Sequence, residues 1–414
     1  MVNNKSYKYT KYACYFSNVC GAIVCNLSAI LLVTFREIYN ISYTLLGLLV
    51  LINFFTQLVI DLVFSFFPNL FNIEKSVKTI PIITAIGLAI YAVLPNVFPD
   101  YAYIAIVVGT VIFSVAGGLG EVLISPIIAA IPSDNPDREM SKLHSFYAWG
   151  FVLFVVISTV ILKLIGKENW MYMVFFWLFI PILTSALFAM AKIPDMNGES
   201  KEKSGKRGIS KFGISLCFIC IFLGGASELS MSQWVSGFAE KALNIPKVYG
   251  DIFGMALFAV FLGLGRSLYA KYGKNIINTL LLSMIGATAC YLTAALVQNS
   301  IINLAACVLT GFCVALLWPG TLILVGEKYP AAGVAVYALL AAGGDLGGAI
   351  APQLVGIITD EVSKSAFAQS IAKNFAVTTE QVGMKFGIMF AGIFPLLGVV
   401  LVLIMKYYFV KRKN

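Results

Sequence analysis

"KIPDMNGESKEKSGKRGISK", residues 192–211, is the one long polar stretch in the middle of this chain. It is rich in Gly, Ser and Lys, the composition of a flexible linker. Apolar runs dominate on either side. Of the 414 residues 59% are hydrophobic and 12% charged, about half the charged share of an ordinary soluble domain. Lipid is therefore the expected solvent for most of the chain.

A bilayer core takes about 20 apolar residues per helix. By that ruler six spans precede the linker, at 12–34, 43–67, 79–96, 101–131, 143–166 and 170–192. Six more follow, at 211–238, 248–271, 275–297, 300–327, 332–359 and 382–408. The runs are far longer than the roughly ten-residue alternation of a membrane barrel strand. The expected fold is an all-α membrane protein with twelve transmembrane helices in two pseudo-symmetric six-helix bundles. Its parts are an N-terminal bundle (1–192), a linker (193–210) and a C-terminal bundle (211–414). A faint echo between the halves supports the division: "LHSFYAWGF" (143–151) aligns without gaps on the stretch around "VYALLAAGGDLGG" (336–348), with Gly150 on Gly343 and His144 on Tyr337. Two such halves are the outline of a repeat-built secondary transporter.

The net charge of +9 raises nucleic-acid binding, but the basic residues form no single patch and lie between spans. They read as anchors on the cytoplasmic side. With the N-terminus inside, 21 of the 29 Lys and Arg fall on inside segments. That bias places both termini and the linker in the cytoplasm of a multi-pass plasma-membrane protein. The start, "MVNNKSYKYTKYACYF", has no small-residue cleavage site, so the first span is expected to stay. The eight cysteines all sit in apolar segments. They predict no disulfide, and Cys217-x-x-Cys220 reads as helix packing. The single histidine, His144, excludes a His-rich metal site, and neither a metal nor a cofactor is expected.

Intramembrane ionisable groups are costly and mark a pathway by default. Here they are Asp61, Glu121, His144, Glu228 and Asp345, with Arg266 nearer a cytoplasmic end. Glu121 stands in "GGLGEVLISP" (117–126) and Glu228 in "GGASELSMSQ" (224–233). Both are candidate proton-coupling groups, because a carboxylate out of water favours its neutral form and can load and release a proton. The alternative for each is a neutral acid bonded to a neighbouring helix. Asn53, Gln57 and Asp61 recur every four residues, one stripe of one helix. The stripe is either a cavity wall or a polar seam, with Asp61 its most structural member. Asn18 and Asn26 share a broad stripe of the first span and either face solute or bond a neighbouring helix. His144 and Tyr147 in the fifth span, Gln233 and Trp234 in the seventh, Trp318 beside Pro319 in the tenth, and Asp345 in "AAGGDLGGAIAP" complete the candidate substrate-binding set. Close helix packing accounts for the glycines around Asp345 but not for the acid. Pro319 predicts a kink, since proline lacks the backbone donor.

Twelve spans in two halves, a basic central loop and inside termini resemble the major facilitator superfamily over nearly the whole chain. "LGRSLYAKYGKN" (264–275) resembles its cytoplasmic signature between helices 8 and 9: Lys271, Gly273 and Lys274 match its end, and Gly265 and Arg266 open it, the glycine one residue out of register. Ala270 stands where the acid is usual, and the matching first-half loop keeps almost nothing of the pattern. "GGLGEVLISPI" is similar to helix 4 of the fucose permease branch, in which the single glutamate is implicated in proton-coupled sugar uptake. The resemblance carries that role to Glu121 alone. The branch's second acid lies in helix 1, where this chain has only Asn18 and Asn26.

What the resemblance implies is a cavity lined by helices 1, 4, 7 and 10. The expected function is proton-coupled uptake of a small polar solute such as a sugar, by a monomer whose partners are that solute, protons and the bilayer, not nucleic acid. With no Lys or Arg read as mid-membrane, an organic anion is disfavoured. A proton-coupled efflux antiporter for amphipathic compounds and a non-transporting receptor are the alternatives. The lack of a sizeable soluble domain weighs against the receptor. No nucleophile–base pair is visible, so an enzyme fits least.

Overall fold

The structure, a computed structural model, describes residues 7–67, 72–133, 136–194, 210–329, 332 and 334–410. Most of the linker expected at 193–210 lies outside the described residues. Among those described, twelve helices are long and apolar enough to span a bilayer. They are α1 (Lys8–Tyr39), α2 (Tyr43–Phe64), α3 (Ile73–Val97), α4 (Pro99–Ala130), α5 (Lys142–Ile165) and α6 (Lys167–Ala189), then α7 (Lys211–Lys241), α8 (Lys247–Tyr269), α9 (Ile276–Leu296), α10 (Ser300–Lys328), α11 (Val336–Lys364) and α12 (Thr379–Phe409). The helix of α5 begins earlier, at Pro136. No described residue lies in a strand.

Polar residues just outside the apolar runs set the helix starts. Ser210 caps α7 by accepting from Gly213 N at 3.3 Å. Asn275 caps α9, accepting from Asn278 N at 3.1 Å, and Asn299 caps α10, accepting from Ile301 N and Ile302 N. Thr378 and Gln381 form a reciprocal capping box at α12. Each cap satisfies donors that the first turn leaves open. The one helix not foreseen, Ala366–Phe375, is too short and polar to span. Its own cap, Ser365 accepting from Ala368 N at 3.1 Å, starts it.

Two prolines interrupt their helices where the missing donor predicts, while Pro81, Pro126 and Pro352 lie inside unbroken ones. α6 is interrupted at Leu178, ahead of Pro181. α10 is interrupted at Ala315 and Leu316, ahead of Pro319.

The helices cluster into two compact units. The first holds α1, α2 from Ile52 onward, and α3–α6; the second holds α7–α12 with the segment Asn40–Leu51. That segment was expected in the first bundle. It groups with the second because Thr44 donates to Asp360 Oδ2 through N–H (2.6 Å) and Oγ1 (2.7 Å), and Tyr43 Oη donates to Glu380 Oε1 (2.7 Å).

Each unit uses one pairing scheme. In the first, α1 packs on α4, α5 and α6, and α3 on α4 and α6; in the second, α7 packs on α10, α11 and α12, and α9 on α10 and α12. Adding six to each number of the first set gives the second, so the repeat that was faint in sequence is plain in the packing. α1 is buried along most of its length. At one end it joins an aromatic cluster, with Phe35 edge-on to Trp170 at 4.9 Å and Trp170 edge-on to Tyr91 at 5.9 Å.

Candidate functional site

In the first unit the site is built on the contact between α4 and α2. A side chain at Gly117 would put its Cβ 2.8 Å from Gln57 Oε1, and one at Gly118 would lie 2.9 Å from the Gln57 carbonyl and from Ile60 Cβ. The two glycines are what lets the helices come this close. One turn further along both helices the same register sets Glu121 beside Asp61, and their nearest carboxylate oxygens lie within 4.8 Å. The two surroundings differ. Asp61 is only 4% exposed, whereas Glu121 is exposed and a Cβ at the preceding Gly120 would meet nothing within 4 Å. The site is thus one buried and one open carboxylate, on the open edge of a tight helix pair.

Asp61, expected to be the most structural member of its stripe, is the acid that the structure sets beside Glu121. Its signal was present, because it stands one turn beyond Gln57 on the same stripe. What the sequence could not show is that Gly117 and Gly118 bring that stripe onto α4.

The amides behind the pair hold helices together. Asn53, 1% exposed, donates to the Val24 carbonyl at 3.2 Å, while its Oδ1 accepts from Gln57 Nε2 at 2.9 Å and Ser114 Oγ at 2.7 Å. This seam ties α2 to α1 and α4. Asn18 donates to the Leu143 carbonyl of α5 at 3.1 Å, and Asn26, also buried, donates to Ala22 O within α1 at 2.9 Å. For Asn18, Asn26, Asn53 and Gln57 the sequence left solute contact and helix bonding open; in the structure each bonds its own or a neighbouring helix, the partner that stabilises a polar group in an apolar interior. On α5, His144 is exposed and Tyr147 half-buried.

In the second unit the "GGASE" glycines serve different neighbours. A Cβ at Gly224 would lie 2.8 Å from Leu317 Cβ of α10, and one at Gly225 would overlap the Gly344 carbonyl of α11. Under the six-plus-six repeat α4 corresponds to α10, and α7 to α1. The two Gly-Gly-x-x-Glu stretches are therefore not equivalent positions.

Glu228 has a counter-charge: Arg266 Nη2 lies 3.4 Å from its Oε1. Arg266 also donates through Nε to the Ala315 carbonyl at 3.1 Å, and Gly265 allows this approach, since a Cβ there would lie 2.6 Å from Ala315 Cβ. Both residues open the segment that resembles the cytoplasmic signature, and they lie inside α8, where they serve its contact with α10. Lys271, Gly273 and Lys274 do end the helix: Gly273 N donates to Tyr269 O at 2.7 Å, Lys271 sits over the Tyr272 ring at 5.1 Å, and Lys274 is exposed. The backbone of Arg266 is near the end of its span, but its side chain reaches an intramembrane acid. The expectation of no cation within the membrane is corrected accordingly.

Trp234 is 1% exposed, donates Nε1–H to the Pro352 carbonyl at 3.1 Å and packs on Tyr43 with ring centroids 5.7 Å apart. Gln233 is equally buried. Both expected solute contacts are therefore enclosed by protein in this structure. Trp318 is half-buried, with its ring against the Gly344 backbone, and the next residue of α11, Asp345, is 3% exposed. All eight cysteines are free thiols.

The family profile described as Major Facilitator Superfamily matches residues 14–352. No curated protein matches the chain. Among solved structures the fold is similar to that of a D-xylose-proton symporter (TM-score 0.74, 16% identity, 97% of each chain covered). It is similar to the nucleoside transporter NupG (TM-score 0.68, 12% identity, 97% of this chain and 99% of that one). A bacterial homologue of the human lysosomal transporter Spinster, inward-facing and occupied, gives a TM-score of 0.67 at 13% identity, with 97% of each chain covered.

Proposed function

The chain belongs to the major facilitator superfamily, a multi-pass membrane protein with a transporter fold, and from that premise we propose that it couples proton entry to uptake of a small, neutral, polar solute such as a sugar. The observation that carries this reading is the Asp61–Glu121 pair. Two ionised carboxylates about 5 Å apart repel by roughly 3 kcal/mol at an effective dielectric of about 20. One shared proton removes that repulsion. Glu121, on the open side, takes and gives the proton, and the buried Asp61 makes its binding favourable. Alternating access then carries proton and solute together. Both termini face the cytoplasm, on the charge bias of the loops.

Glu228 has a different part in this reading. Its pairing with Arg266 makes it a fixed charge partner rather than a second proton carrier. The pair also neutralises Arg266, which supports a neutral solute over an organic anion. His144, Tyr147, Trp318 and Asp345 remain as solute contacts, and the protein works as a monomer. The solved structures of similar fold, named for D-xylose and for a nucleoside, set the panel to test.

The test is flux into proteoliposomes of purified protein with an inward proton gradient, using labelled D-xylose and uridine as probes beside a set of other neutral sugars. Gradient-dependent accumulation of a neutral solute is expected. A gradient that drives only outward movement of lipophilic dyes would overturn uptake in favour of efflux.

A further inference from the structure

The first unit carries a second recess that the proton site does not use. It lies between α5, α6 and the first half of α1 and has a volume of about 640 Å³, in the range of small-molecule sites. Phe16 of α1, Phe146, Trp149 and Leu153 of α5, and Phe176 of α6 are among its walls. The α5 residues that line it form one stripe, and His144 and Tyr147 point from the opposite side of that helix. The recess is open outward, for Trp149 is 64% and Leu153 54% exposed in the middle of a span. Along α5 it runs from Lys142 to Ile157, about 22 Å at 1.5 Å per residue. That is longer than one leaflet's hydrocarbon, about half of a 30 Å core.

The end marked by Lys142 is charged. Glu139 accepts from Lys142 at 3.0 Å and Tyr15 Oη at 2.8 Å, and lies 3.2 Å from Lys11 Nζ. Two ammonium groups thus share one carboxylate. Burial works against ionisation of Glu139, but the hydrogen bonds from Lys142, Tyr15 and Lys11 outweigh it and hold the carboxyl down to about 2. The cluster keeps a net positive charge at any ordinary pH, and Lys142, the more exposed lysine, stands at the head of the apolar recess.

We propose that this recess binds one anionic phospholipid, with an acyl chain along α5 over Trp149 and Leu153 and the phosphate on Lys142. A basic group between helix ends above an apolar slot is the arrangement that recognises such headgroups. A zwitterionic headgroup would add a second positive charge beside the lysines. In the orientation proposed above this is the cytoplasmic leaflet, though the binding itself does not depend on the transport reading.

Native mass spectrometry of the purified full chain tests it, with phosphatidylglycerol and phosphatidylcholine at equal concentration. The first phosphatidylglycerol adduct should be about fivefold more populated than the phosphatidylcholine adduct, the size of one added basic contact at a membrane surface. Lys142→Gln should bring the ratio to about one, and Leu153→Trp, which fills the slot, should lower both adducts. Both positions are exposed enough that folding should be retained. A wild-type ratio near one overturns the proposal whatever the variants do. A ratio unchanged by Lys142→Gln, or adducts unchanged by Leu153→Trp, overturns it by placing the lipid elsewhere. No flux is measured, so failure here is separate from failure of the transport reading.

Discussion

Arg266 donates to the carbonyl of Ala315, four residues before Pro319, at 3.1 Å. Proline has no N–H, so Ala315 is the residue whose carbonyl loses its helical partner when Pro319 enters α10. The guanidinium supplies the missing donor from α8 and reaches Glu228 at the same time. One side chain thus serves the carbonyl freed at the kink and one oxygen of an intramembrane acid.

Removing that side chain leaves two groups uncompensated. Arg266→Met should destabilise the second unit by about 1–3 kcal/mol, read as a lower thermal unfolding midpoint in detergent. Glu228→Gln in the Arg266→Met background should restore part of the loss, because the unpaired acid is then gone. Additive losses in the double variant would show that the two residues do not interact.

The Asn53 seam makes a stability prediction of its own. Asn53→Ala removes three hydrogen bonds at once, each worth about 0.6 kcal/mol inside a membrane protein. A loss near 2 kcal/mol is expected, against less than 1 kcal/mol for Ser114→Ala, which removes one of the three. Solute affinity should change little in Ser114→Ala. A large affinity loss there with an unchanged unfolding midpoint would return this stripe to the cavity wall.

Trp234 separates packing from recognition. Trp234→Phe keeps a ring against Tyr43 and loses the bond to the Pro352 carbonyl. Stability should fall by about 1 kcal/mol, with the transport KM unchanged. A KM raised tenfold or more would mean that Trp234 faces the solute after all.

The Glu139 cluster should make stability depend on acid. Its carboxyl is held well below the ordinary 4.5, down to about 2, against burial, by its three hydrogen bonds. A depressed carboxyl contributes stability above its unfolded value, and that contribution is lost as pH falls through the folded value. The thermal midpoint of wild type should therefore drop between about pH 4.5 and 2. Glu139→Gln should start lower at pH 7 and show a smaller drop across that window. Parallel curves for the two proteins would remove the cluster as a stabilising element.

The fold was readable in the sequence wherever one physical rule dominates. Apolar length set all twelve spans, since a bilayer leaves little choice of element, and Pro319 placed the break in α10. Function was read less well, because intramembrane polar groups bond whatever helix is nearest. Asn18, Asn26, Asn53 and Gln57 look the same in sequence whether they face a solute or a carbonyl. The register between α2 and α4, which sets Asp61 against Glu121, depends on Gly117 and Gly118 meeting Gln57, a contact sixty residues apart in the chain. Arg266 misled for a simpler cause: its backbone is near a span end, and its side chain is long enough to reach Glu228.

Glu121→Gln tests the central claim most directly. It removes the proton site while keeping shape and a polar group at the open edge of α4. In proteoliposomes, accumulation of the transported neutral solute under an inward proton gradient should be lost, while exchange of labelled for unlabelled solute at equal pH persists near the wild-type rate. Gradient-driven accumulation that survives in Glu121→Gln would contradict the assignment and leave Glu121 a packing acid.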